Sequence, residues 1–189
     1  MKHSLFYILM MVLAPFRAGA QNMHDVFKSM PDSVLPLLTK NDKLDHLDYF
    51  DSHVVTDVKD RFGTPTRLLA LTDDYALLRT GERTDVAFKL LNCTNGSRVI
   101  CQLSTCEVDS MPDTTVRFYT THWQPLDKSR YLNIDATNDF VELRFSAAST
   151  ELTATTRRTT LRPEGTTPVS SSTPVATATW RWTGERFEK

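Results

Sequence analysis

The run Asp45-His46-Leu47-Asp48-Tyr49-Phe50-Asp51-Ser52-His53 places three carboxylates and two imidazoles within nine positions. Acids at such spacing suit cation binding or general acid–base work when a helix turns two of them to one side. At about 100° per residue, Leu44, Leu47 and Val54 form an apolar stripe, with Asp51 inside it and Asp48 at its border. An acid facing a core must be paired or hydrogen-bonded. Asp51 is therefore expected to cap a neighbouring turn or to pair with an arginine of a sheet. The sharper alternative is a cation or general-acid site built from Asp48 and Asp51 where helix meets sheet. Asp42, His46 and His53 fall on the opposite face, which reads as solvated. Seven residues, about 10 Å of helix axis, keep His46 and His53 from sharing one metal.

Outside this run the chemistry thins. His122-Trp123 ends a strand and is placed to line a cleft for a sugar or peptide, although closing the end of a core is the preferred role for Trp123. Cys106 and His122 offer a nucleophile and a base by residue type alone. There is no G-x-S-x-G, no H-E-x-x-H, no phosphate-binding G-x-x-x-x-G-K-[ST] and no C-x-x-C. Six glycines in 189 residues leave little for loops that cradle phosphate. Nothing in the sequence requires a cofactor or a metal.

The elements that must carry these residues change character along the chain. Residues 24–30 read as helix, stopped by Pro31, and residues 34–38 as a turn or two interrupted by Pro36. Asn41 is the expected N-cap of a helix running to about Ser52. From Arg67 the period becomes two. Strands are predicted at 68–71, 75–79, 86–91 and 98–106, separated by Asp73-Asp74, Gly81-Glu82 and residues 92–96. Met111-Pro112-Asp113 should break the chain before a strand around Val116, Phe118 and Thr120. Residues 140–145 alternate most clearly, with Val141, Leu143 and Phe145 inward and Glu142 and Arg144 outward. The Thr-rich stretch 152–161 suits an edge or solvent-facing strand. A Pro- and Gly-punctuated loop follows over 162–173, then a strand ending in Trp180 and Trp182, whose turn through Gly184 brings up Phe187.

Compartment is written at the start of the chain. Lys2 and His3, an apolar run over residues 5–13 and Ala18-Gly19-Ala20 read as a secretory signal peptide over residues 1–20. Gln21, where a lipidated cysteine would stand, points to an unanchored product, periplasmic or released. The net charge is −1, and the leader holds Lys2 and Arg17 without an acid, so the mature chain is more acidic still. Nucleic acid is excluded as a partner on charge, and no later apolar stretch reaches the roughly 20 residues of a membrane span. Three cysteines, an odd number, are poorly placed for pairing: Cys101 and Cys106 on one strand stand about 17 Å apart, against a reach of about 7 Å.

A family enters through a longer match. Phe27-Lys28-Ser29-Met30-Pro31-Asp32-Ser33-Val34-Leu35-Pro36-Leu37-Leu38-Thr39 is followed by Leu44-Asp45, Asp48 and Asp51-Ser52. Leu71-Thr72-Asp73-Asp74-Tyr75, Lys89-Leu90-Leu91, Ile100-Cys101 and Val116-Arg117-Phe118-Tyr119 with Trp123 continue it in order. These resemble an uncharacterised family of exported Bacteroidetes proteins catalogued as a domain of unknown function, over about residues 24–146. The resemblance implies compartment and source and brings no activity. Exported proteins of such bacteria are modified on Ser or Thr after Asp, which makes Ser33, Ser110 and Thr114 candidate O-glycosylation sites. Asn92-Cys93-Thr94 and Asn95-Gly96-Ser97 are formal N-glycosylation acceptors, expected to stay bare.

The expected architecture is α+β: helices over residues 21–55, antiparallel strands over 66–146 and Thr-rich strands and loop over 149–189, all one domain after the leader. The helices should pack on a curled antiparallel meander of about eight to nine strands. The preferred function is a non-enzymatic binding or envelope-associated module, whose partner is a protein, peptide or glycan. Its alternative is a hydrolase or cation-dependent enzyme using Asp48 with Asp51, or Cys106 with His122.

Overall fold

A computed structural model describes residues 21–108, 111–134, 140–160 and 171–189; the expected leader over residues 1–20 and the candidate Ser110 lie outside them. Among the described residues two helices come first, α1 (Met23–Lys28) and α2 (Lys40–Asp51). The Asn22 side chain accepts the Asp25 amide to start α1. The N-cap of α2 is Thr39, two residues before the expected Asn41. The Thr39 hydroxyl accepts the Asp42 amide at 3.2 Å while the Asp42 carboxylate accepts the Thr39 amide at 2.7 Å, a reciprocal box that outcompetes Asn41. At its other end the Val54 amide reaches the Tyr49 carbonyl and the His53 amide the Phe50 carbonyl, with His53 at φ 55° in the left-handed position that terminates many helices.

The sheet expectation needs correction in number and layout. Among the described residues, eleven strands form two antiparallel sheets. β1 (Val58–Lys59), β2 (Pro65–Leu71), β3 (Tyr75–Arg79), β4 (Thr84–Asn92), β5 (Arg98–Val108), β6 (Met111–Thr120) and β7 (Pro125–Leu126) make a seven-stranded meander in chain order. β8 (Phe140–Phe145), β9 (Glu151–Thr160), β10 (Ser171–Trp182) and β11 (Phe187–Glu188) make the second sheet, ordered β11-β10-β9-β8. The sheets meet where β8 lies along β6. There, Val141 and Leu143 amides donate to Asp113 Oδ1 and Thr114 Oγ1, side-chain acceptors taking the place of a neighbouring strand.

Two local expectations fail for the same reason, that partners decide strand position. Met111-Pro112-Asp113 does not break the chain; β6 starts there, pairing Pro112 with Glu107 and burying Met111. The Thr-rich stretch is not an edge. β9 lies between β8 and β10, with Leu152 and Ala154 buried between the sheets.

Residue parity sends alternate side chains of the larger sheet into two cores. Leu78, Phe88, Ile100 and Trp123 meet Phe27, Leu38 and Leu47 from the helical side. Leu91, Cys101, Leu103 and Phe118 meet Leu143, Leu152, Trp180 and Phe187 of the second sheet. The first core is keyed by edge-on rings, Phe27 to Phe88 at 6.4 Å and Phe88 to Trp123 at 5.6 Å.

Candidate functional site

The residues singled out by type are held within separate elements. Asp48 and Asp51 are exposed on α2, because the helix buries Lys43 and His46 beside Leu47, while Leu44 of the anticipated stripe is half-buried and Val54 is open. Asp51 Oδ2 lies 3.2 Å from His24 Nε2 of α1, neither a turn nor a sheet arginine. His122 is exposed in the turn after β6. Trp123 beside it is buried, at φ 62°, and its Nε1 donates to the Val26 carbonyl at 3.1 Å. That unusual backbone angle is sustained by the ring's place in the core. Cys106 pairs with Asp113 at the start of β6, so the run to Thr120, about 23 Å of strand, lies between it and His122. The three cysteines are free, and burial pushes the Cys101 thiol well above its ordinary pKa. Ser33 is exposed in the turn after Pro31. Thr114 Oγ1 is engaged, 2.8 Å from Thr105 Oγ1 and accepting the Leu143 amide at 3.0 Å. Among the described residues no group of three or more His, Cys, Asp or Glu is arranged to hold a metal.

His46 corrects the solvated-face expectation. It is buried, with Nε2 2.9 Å from Thr66 Oγ1, whose hydroxyl in turn donates to the Val58 carbonyl at 2.8 Å. Desolvation lowers its pKa to about 4, against the opposing pull of Asp42 and Asp57. It borders a depression of about 380 Å³ between α2 and β2, with Tyr49, Val54 and Leu69 among its walls.

A second cleft, about 400 Å³, opens between the two sheets. Strand register builds it. Arg79, Asp85 and Thr105 form one cross-strand row of the larger sheet, and Leu77, Ala87 and Leu103 the next. Tyr75 stands beyond them, while Glu142, Leu143, Arg144 and Phe145 of β8 supply the opposite wall. Arg79 Nε and Nη2 donate to the two oxygens of Asp85 at 2.9 and 3.2 Å. Glu142 is buried, contrary to its outward assignment, because Arg144 and Arg157 neutralise it. Lys89 Nζ, also buried, meets Asp74 Oδ2 at 2.9 Å and the Ala147 carbonyl at 3.1 Å, and lies 5.7 Å from the Tyr75 ring centre. Burial raises the Tyr75 pKa, Asp85 adds to the rise and Arg144 opposes it, so the phenol keeps its proton at neutral pH. The arrangement can present donors and acceptors over an apolar floor.

A family model described as "Protein of unknown function (DUF3256)" matches residues 16–165, most of the chain, including both helices, the whole of the larger sheet and strands β8 and β9. The chain belongs to this family. A comparison with curated proteins returns no match. Among solved structures, a domain of an uncharacterized protein from Porphyromonas gingivalis W83 is similar, with TM-score 0.67 at 18% identity, covering 89% of this chain and 98% of that one. That likeness shows a shared fold. The resemblance to an uncharacterised Bacteroidetes-linked family is thus met. No described helix of this DUF3256 member is long and apolar enough to cross a membrane. Sequence reasoning passed over the Tyr75, Arg79, Asp85, Glu142 and Arg144 side chains of its inter-sheet cleft. One signal was available: Tyr75-Leu77-Arg79 and Asp85-Ala87-Lys89 share their parity, so these polar groups had to face whatever their apolar companions faced.

Proposed function

We propose that this DUF3256 member is an exported, non-enzymatic binding module, cleaved near Ala20, with residues 21–189 forming one α+β domain. Its ligand site is the cleft between β3, β4, β5 and β8. One observation carries this reading: an apolar floor is ringed by charges already neutralised in pairs, Arg79 with Asp85 and Arg144 with Glu142. Such a wall holds a ligand by hydrogen bonds and leaves no unpaired acid to transfer a proton. Asp48, Asp51, His122 and Trp123 then serve the helices and the end of the first core. Ser33 remains the better placed O-glycosylation candidate, since a glycan on Thr114 would displace the bonds that join the sheets.

Envelope association is a second reading, favoured by the outer edge of β10. β11 pairs only with Arg181 and Trp182, so among the described strands residues 176–180 have no second neighbour.

Cell fractionation with N-terminal sequencing tests export; a chain beginning near Gln21 outside the cytoplasm is expected, and an uncleaved cytoplasmic chain refutes it. Amide exchange of the purified protein with and without envelope extract tests the site. Protection within 75–79, 85–87, 103–105 and 142–145 supports the cleft. Protection confined to 176–180 replaces it with strand pairing, and protection elsewhere refutes both.

A further inference from the structure

The chemistry of the inter-sheet cleft goes beyond its being a ligand site, and the following rests on that reading. We propose that the cleft takes a neutral, hydroxyl-rich ligand of the sugar class, its C–H face on Leu77, Ala87 and Leu103 and its hydroxyls between the two ion pairs.

The charged side chains that line the cleft, Arg79, Asp85, Glu142 and Arg144, are already paired, with Arg157 also held on Glu142, so the cleft offers neither an anion nor a cation a vacant partner. An incoming carboxylate or ammonium would have to compete with a partner already in place, and separating either pair strands a charge. Glu142 is 4% exposed, so that penalty is high on the β8 side.

A guanidinium carries five N–H donors and a carboxylate about four acceptor positions, and a two-bond pair leaves some of each unused. A hydroxyl donates and accepts at once. It can take an N–H of Arg79 and give its proton to Asp85 without separating them, which neither a purely anionic nor a purely cationic group can do. Tyr75 keeps its phenolic proton and adds one more group of the same dual kind.

Leu77, Ala87, Leu103 and Phe145 offer apolar surface suited to the C–H face of a saturated ring. An extended peptide lacks its usual foothold, because the outward amides of Val141 and Leu143 on β8 are taken by Asp113 and Thr114. A strand entering the cleft would meet that ladder already capped.

The test uses 15N-labelled protein, exported and purified from cells carrying the full sequence. It is titrated with a panel of neutral di- and trisaccharides and, in parallel, with zwitterionic tripeptides and uronic-acid disaccharides. Saturable shifts of amides at Leu77, Arg79, Ala87, Leu103 and Phe145 with a neutral sugar are expected. Arg79→Met should weaken binding about tenfold, the loss of one charge-assisted hydrogen bond. Asp85→Asn, the gentler change, should weaken it less while leaving thermal unfolding intact. If only the charged ligands move the cleft amides, the sugar class is wrong and the cleft survives as a site. If no ligand of any class moves them, both the class and the site fall.

Discussion

Individual side chains in this protein are placed by their partners more than by their polarity. His46 is buried because the Thr66 hydroxyl stands 2.9 Å away to satisfy it, whereas Asp51, expected inside, reaches outward to His24. The consequence for stability follows from the sign of the His46 shift. Unfolded, the imidazole titrates near its ordinary 6.5; folded, it titrates at about 4. Between those values only the unfolded chain takes up the proton. Stability from this group is therefore intact above pH 6.5 and declines as pH falls through the window, by up to about 3 kcal/mol. His46→Gln retains an amide that can meet Thr66 and does not titrate. Its urea midpoint should fall less than the native protein's on going from about pH 7 to about pH 4.5; an equal fall would show that other groups set the acid sensitivity.

At the scale of elements, α2 shows how much periodicity can mislead. Leu44, Leu47 and Val54 suggested one buried face, yet the packed face runs through Lys43, His46 and Leu47. Lys43 is tolerated there because its Nζ donates to the Met30 carbonyl at 2.7 Å and to Asp32 Oδ1 at 2.6 Å. These bonds tie the turn after α1 to α2, and the Lys43 hydrogen bond is the main reason Asp32 titrates below its ordinary value. Lys43→Met keeps the volume and strands the Met30 carbonyl, so a loss of about 1–3 kcal/mol is expected in chemical denaturation at neutral pH. No measurable loss would mean that the aliphatic stem alone matters. Turns and most strands were legible because they depend on neighbours in sequence, as at the Asp73-Asp74 turn, whereas the start of α2 was not, since the Thr39–Asp42 box displaced the expected Asn41 cap. Nor was Glu142. Its alternation with Leu143 marks it as outward, and only Arg144 and Arg157 make its burial possible.

For the molecule as a whole, the C-terminal hairpin closes the second sheet onto the first. The Gly184 carbonyl accepts the Thr94 amide at 3.0 Å, Trp182 Nε1 donates to the Asn92 carbonyl at 2.6 Å, and Trp182 packs edge-on against Phe187 at 5.2 Å. Gly184 sits at φ +97°, and a Cβ there would come within 2.7 Å of Thr94 Cγ2 and 3.3 Å of its backbone nitrogen. Gly184→Ala should therefore lower stability by about 1–3 kcal/mol and speed exchange of the Thr94 amide. Slow exchange at Thr94 in a destabilised variant would place the damage elsewhere. The sequence by itself determined the antiparallel meander and the family resemblance, since each is encoded in adjacent residues. Only the tertiary structure decided that the strands split into two sheets, that β9 is interior, and that Tyr75, Arg79 and Asp85 face Glu142 and Arg144. Residues some sixty apart meet there through the stacking of one sheet on another, and no periodicity within either strand specifies what lies across the gap.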